Sequence, residues 1–160
     1  MNVFTVSLFG HRTIDDLRRI DERLIPILRE VIREAPYVEF MIGRHGAFDE
    51  YAASLIKLLW REIGKENSEI TLVLPYTVKN LQYYERYYDH IIIPECVCGA
   101  HPKSAIGLKN RWMVENSELV IVFVERNHGG AYAAMKYAEQ KKKRVINLND
   151  DFSADFFDFV

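Results

Sequence analysis

No long hydrophobic run occurs in this chain of 160 residues; nothing approaches the roughly 20 apolar residues of a bilayer-spanning helix. No membrane partner is therefore expected. Cysteine is scarce, with only Cys96 and Cys98. Two cysteines so close cannot staple a fold, so a disulfide scaffold is excluded and a reducing, cytoplasmic location is expected. The pair also lacks the further ligands that a structural zinc site needs, so no metal is expected, and no cofactor. A surplus of either charge is missing as well: 21 Lys and Arg face 23 Asp and Glu, a net charge of -2. That leaves no global basic footprint, and nucleic acid is not expected as a partner. The opening MNVFTVSLFGHR has no leading basic cluster and reads as a strand, which speaks against a signal peptide. Repeats, linkers and low-complexity segments are absent from the sequence.

Hydrophobic residues make up 49% and charged residues 28%, the balance of a globular domain. The length fits one domain, read as residues 1–148, followed by an acidic aromatic tail over 149–160. Short β-rich runs alternate with longer helical stripes. Val3–Phe9, Tyr37–Ile42, Ile70–Leu74, Ile91–Ile93, Leu119–Val124 and Val145–Leu148 read as strands, rich in β-branched and aromatic residues. Ile14, Leu17, Ile20, Leu24, Leu28 and Val31 recur at helical steps behind an N-cap at Thr13, with a kink expected at Pro26. Further helices are expected over Ala47–Ile63 with Gly64 as its stop, over Thr77–Tyr88, over Ser104–Asn116 and from Ala131. This alternation predicts parallel βαβ units. The fold class is α/β: a single domain with a Rossmann-like open parallel sheet flanked by helices on both faces. In such sheets ligands bind beyond the carboxyl ends of the strands.

Four loops at those ends collect the unusual residues. They are Gly10-His11-Arg12, Gly43-Arg44-His45-Gly46, the stretch from Pro94-Glu95 to His101, and Asn127-His128-Gly129-Gly130. Glycines ahead of the Ala47 and Ala131 helices leave backbone N–H groups uncovered at helix starts, where the dipole also favours an anion such as phosphate. Two such starts facing one crevice would hold a phosphate and a second polar group. Arg12 and Arg44 would neutralise the phosphate, Asp49 would meet a sugar hydroxyl, and Tyr76 or Tyr132 would stack on a base. Arg111 would turn a guanidinium toward the crevice from the helix that begins near Ser104. Asp49, Glu50 and Glu95 are the candidate carboxylates for acid–base work. Asp49 and Glu50 also complement the dipole of their own helix, and sequence position leaves both roles open. The run Lys141–Arg144 sits at a helix C-terminus, where dipole and solvation account for it. Phe152, Phe156, Phe157 and Phe159 in the tail either pack on the domain or form a partner-binding element.

Taken in order, F-G-H-R (Phe9–Arg12), G-x-H-G-A-F-D-E (Gly43–Glu50), L-P-Y (Leu74–Tyr76), Y-D-H-I (Tyr88–Ile91), K-N-R-W-M-V (Lys109–Val114) and G-G-A-Y-A-A (Gly129–Ala134) resemble a known group. The chain looks like the YpsA-like branch of the SLOG superfamily, over residues 3 to 148. That superfamily also includes the LOG nucleotide phosphoribohydrolases and the DNA-processing protein DprA. The resemblance implies a Rossmann-like fold that recognises nucleotides or nucleotide-derived ligands. It places Gly10, Arg12, Gly43, Gly46, Gly129 and Gly130 along the site and, through the LOG relatives, implies a homo-oligomer. LOG enzymes carry a catalytic glutamate in G-G-x-G-T-x-x-E; the matching position here is Lys136, and Tyr132 and Ala133 replace the G-T pair. An ammonium there cannot stabilise an oxocarbenium-like sugar, which weakens the hydrolase reading and leaves phosphate binding intact.

The expected function is the binding or sensing of a nucleotide or nucleotide-derived ligand in a crevice at the strand ends. A LOG-like N-glycosidic hydrolase of nucleoside monophosphates and a protein-interaction scaffold using the tail are the alternatives. The expected ligand-binding residues are Gly10, His11, Arg12, Gly43, Arg44, His45, Gly46, Asp49, Tyr76, Arg111, Gly129, Gly130, Ala131 and Tyr132.

Overall fold

Six strands, β1 (Val3–Gly10), β2 (Tyr37–Ile42), β3 (Ser68–Val73), β4 (His90–Ile92), β5 (Leu119–Phe123) and β6 (Arg144–Asn147), alternate with five helices. These are α1 (Leu17–Glu34), α2 (Ala47–Ile63), α3 (Leu81–Tyr87), α4 (Pro102–Glu115) and α5 (Gly130–Gln140). This computed structural model describes residues 2–44 and 46–150. His45 and the aromatic part of the tail, from residue 151, lie outside the described residues.

The strands form one parallel sheet in the order β4-β3-β2-β1-β5-β6. Val6 at the centre of β1 pairs with Phe40 on one side and Leu119 on the other. The inner strands are buried on both faces because their side chains alternate between two cores, whereas the edge strands β4 and β6 are partly open. In β5, Leu119, Ile121 and Phe123 enter the core beneath α1 and α2, whereas Val120 and Val122 face α4 and α5. Ala131, Ala134 and Ala138 give α5 a small-residue face, which lets the helix lie close to the sheet. The crossover from β1 leads to β2 on one side, while β5 lies on the other. The strand order therefore reverses between β1 and β5, and the loops that follow these two strands diverge there and leave a crevice.

Local chemistry sets the element ends, and in places it differs from the sequence reading. The cap of α1 is Asp16, not Thr13: its Oδ1 accepts from the Arg19 N–H at 3.2 Å. Thr13 and Ile14 consequently stay in the loop above the sheet. Pro26 lies inside a helix that runs unbroken for 18 residues. Six buried apolar side chains, Ile20 to Ile32, anchor it; at about 1.5–3 kcal/mol each, their burial outweighs the roughly 3 kcal/mol of an internal proline. The helix expected over Thr77–Tyr88 shrinks to α3, because Thr77–Asn80 remain in a loop. α4 starts earlier than expected, with Pro102 in its first turn, where the missing N–H costs nothing, and His101 Nδ1 accepting from the Lys103 N–H at 3.2 Å. Among the described residues no helix is long and apolar enough to cross a membrane.

Candidate ligand-binding crevice

The crevice encloses about 350 Å³ between the β1 and β5 loops, the start of α5 and the inner face of α4. That volume is at the lower end of small-molecule pockets. Gly10, His11, Arg12, Gly43, Asp49, Gly129, Gly130 and Ala131 line it, as their positions in the sequence led one to expect. Ile106, Lys109, Asn110, Arg126 and His128 complete the wall.

Its floor depends on absent side chains. Gly10 ends β1 directly beneath Phe48, and a Cβ there would collide with the Phe48 ring. Phe48 is fully buried and stacks against Phe123 with centroids 6.4 Å apart, so it has no room to retreat. At Gly43 a Cβ would stand 2.8 Å from Lys109 Nζ and 3.1 Å from Asp49 Oδ2. The bare Gly43 backbone is thus what allows the ammonium and the carboxylate to approach from two sides.

Lys109 is the unusual member of this wall. Only 3% of it is exposed, although it is a lysine on a helix. Burial holds its pKa down to about 8, with the Asp49 carboxylate pulling the other way. Its ammonium and the Asp49 carboxylate meet over Gly43, and both residues line the crevice, so the cation stands where a bound anion would reach it. Sequence reasoning favoured Arg111 on this helix and passed over Lys109. The available signal was spacing: Lys109 stands four residues from both Ala105 and Met113, on the buried face of α4. Arg111 instead turns outward, its guanidinium 6.0 Å from the Tyr137 ring centre, and lies in a neighbouring groove.

The start of α5 faces the same space. Gly129 caps it at φ 97°, a backbone state that favours glycine, and no side chain bonds the first amides. Those N–H groups meet the crevice with the positive end of the helix dipole behind them. The other helix start is different. At α2 the Ala47 N–H donates to the Arg12 carbonyl at 2.9 Å, and the lack of a Cβ on Gly46 admits the Arg12 backbone at close range. The expectation that both helix starts open into the crevice is therefore corrected: α2 spends its first amide on tethering the β1 loop, and neither Gly46 nor Ala47 lines the crevice.

His11 is buried, and its Nε2 accepts from the Glu125 N–H at 3.0 Å, joining the β1 loop to the β5 loop. Burial first, and then the neighbouring Arg126 guanidinium, push its pKa below 6.5, so the ring is neutral at pH 7. Arg44 and Tyr76 share a separate groove with Tyr84, whose hydroxyl accepts from Arg44 Nη1 at 3.4 Å. Tyr132 packs on the core beneath α4 and α5, with the Lys136 ammonium 5.6 Å from its ring centre. Glu50 and Glu95 are exposed and line no part of the crevice, so Asp49 is its one carboxylate among the described residues.

No protein-family model and no curated protein matches the sequence. Solved structures do match the fold. The DNA processing protein A (DprA) of Streptococcus pneumoniae superposes with a TM-score of 0.62 at 15% identity, over 89% of this chain and 49% of that one. The DNA processing protein A of Helicobacter pylori, described for its single-stranded DNA binding mode, superposes with a TM-score of 0.59 at 14% identity, over 92% and 68%. This chain thus spans about half the length of the pneumococcal protein. Both neighbours share the Rossmann-like α/β fold of this chain, the fold class expected from its sequence. They also correct one expectation. A protein of this fold binds single-stranded DNA, so a net charge of -2 is no ground for setting nucleic acid aside. Whole-chain charge averages over the local patches that a polyanion meets.

Proposed function

We propose that the crevice binds the phosphate of a nucleotide or nucleotide-derived ligand, and that the chain belongs to the YpsA-like branch of the SLOG superfamily. One observation carries the reading: the start of α5, which no side chain caps, and the buried Lys109 line the same cavity. Backbone donors and a desolvated cation together form an anion site stronger than either alone. Arg12 and Arg126 stand at its mouth and add charge. The Asp49 carboxylate lines the crevice; it repels phosphate, and its role in this reading is to accept from a sugar hydroxyl. The free, exposed thiols of Cys96 and Cys98 support a reducing cytoplasmic setting.

Titration calorimetry with a panel of nucleoside mono-, di- and triphosphates tests this reading. Binding of at least one nucleotide, lost in Arg12→Ala, is the expected result; no heat from any member of the panel overturns it. Chromatography of the same mixtures for released base separates a binding module from an N-glycosidic hydrolase. With Lys136 at the LOG glutamate position, paired to Glu139 at 3.3 Å, no base release is expected.

A further inference from the structure

Beside the crevice, α4 and α5 leave an open groove of about 640 Å³. Arg12, Ile106, Asn110 and Gly130 line both spaces, so the groove continues the crevice without a wall between them. Its remaining charged residues are Lys103, Arg111 and Lys136, and no carboxylate lines it among the described residues. Glu139 reaches Lys136 from the rim at 3.3 Å, with half of each side chain exposed, so solvent screens that pair. The same groove is lined by apolar and aromatic surfaces, Ile106, Ala133, Ala134 and Tyr137, the last with its hydroxyl donating to the Glu115 carboxylate. Asn110, at the junction, keeps a buried Oδ1 without a hydrogen-bond partner among the described residues. With no internal bond to hold it, that amide is free to turn toward the groove and meet the polar edge of a base.

We infer that this groove takes the backbone of a single-stranded nucleic acid whose end nucleotide occupies the crevice, an inference that rests on the phosphate reading of that crevice. Three cations beyond the crevice match three further phosphates, which gives a site of about four nucleotides, within the 4–16 that single-strand clefts commonly cover. Charge of one sign along an open track selects a linear polyanion, and apolar ground between the charges selects one carrying flat, unpaired bases. A duplex is excluded by the crevice, which admits a nucleotide only when it is freed from its partner strand. An acidic peptide would satisfy the cations and leave Tyr137 and Asn110 without bases.

Fluorescence anisotropy with thymidine monophosphate and oligothymidylates of two, four and eight nucleotides reads the groove apart from the crevice. The wild-type chain is compared with a triple variant, Lys103→Gln, Arg111→Gln, Lys136→Gln, whose exposed positions tolerate the change. The wild type is expected to gain at least about tenfold in affinity from one nucleotide to four and little thereafter. The triple variant is expected to lose that gain while binding the mononucleotide as before. Its log–log salt slope should fall by about 2, at roughly 0.7 per phosphate contact. A variant that binds the tetranucleotide with wild-type affinity and slope overturns the inference and leaves the phosphate reading standing. Conversely, strong tetranucleotide binding that needs the three cations, with no mononucleotide binding at all, retains the groove and removes the crevice reading. Polyglutamate competing as well as the tetranucleotide also overturns the inference, because charge alone would then account for the groove.

Discussion

Replacing Lys109 with methionine separates stability from binding at this site. The folded chain holds the Lys109 ammonium against burial, with a pKa of about 8 in place of 10.5. At 1.36 kcal/mol for each tenfold change, that depression amounts to about 3 kcal/mol of folding free energy lost while the group is charged. The sign follows from proton counting. Between pH 8 and 10.5 the unfolded chain holds a proton at Lys109 that the folded chain has released. Stability therefore rises with pH across that window, and below it the whole cost is present. Lys109→Met fills nearly the same volume without the charge. It is expected to stabilise the protein at pH 7 by about 2–3 kcal/mol, raising Tm by roughly 5–10 °C. It should also flatten the pH 8–10.5 rise and abolish nucleotide binding. In the parent, an anion in the crevice restores the proton, so affinity should fall as pH rises above 8 and calorimetry should show proton uptake there. Thermal and urea unfolding from pH 6 to 10.5, alongside titration calorimetry, measure every part of this. A Lys109→Met chain that is less stable than the parent at pH 7, or that binds nucleotide with parental affinity, refutes the reasoning.

Three further outcomes are expected. Gly10→Ala drives a methyl group into the fully buried Phe48 ring and should cost about 3 kcal/mol or more in urea unfolding; a loss below 1 kcal/mol would mean that Phe48 can move. Gly129→Ala meets open space but forces φ near 97° on a residue with a Cβ. A loss of about 1–2 kcal/mol with weakened nucleotide affinity is expected, and unchanged affinity would detach the α5 start from binding. His11 should titrate below 6.5 by NMR. Because folding lowers its pKa, stability falls as pH drops through the window beneath 6.5 and is whole at pH 7. His11→Ala should remove that acid sensitivity and cost about 1–2 kcal/mol through the unpaired Glu125 N–H.

Element order and the location of the crevice were legible along the chain because both follow from local rules. Buried parallel strands read as continuous apolar runs, and the bounds of β2 and α2 emerge residue for residue, with Gly64 at φ 92° closing α2. Glycines at strand ends mark turns whichever way the domain packs, so Gly10, Gly43, Gly129 and Gly130 could be assigned to the crevice wall in advance. Charge was less legible. A net value of -2 hides the fact that Arg12, Lys103, Arg111 and Lys136 share one groove free of carboxylates among the described residues, because those residues meet only when α4 and α5 pack side by side.

From the sequence alone come the alternating βαβ order, the parallel sheet and a loop-borne crevice rich in glycine, because periodicity and turn chemistry act over a few residues. Tertiary structure alone decided that α2 gives its first amide to the Arg12 carbonyl while α5 keeps its own free. It also decided that Lys109, and not Arg111, faces the crevice. Both outcomes depend on which surfaces meet across the sheet. A helical residue's neighbours on its own turn are known from spacing, but its burial, and hence the pKa of a lysine, is known only once a strand and a second helix stand against it.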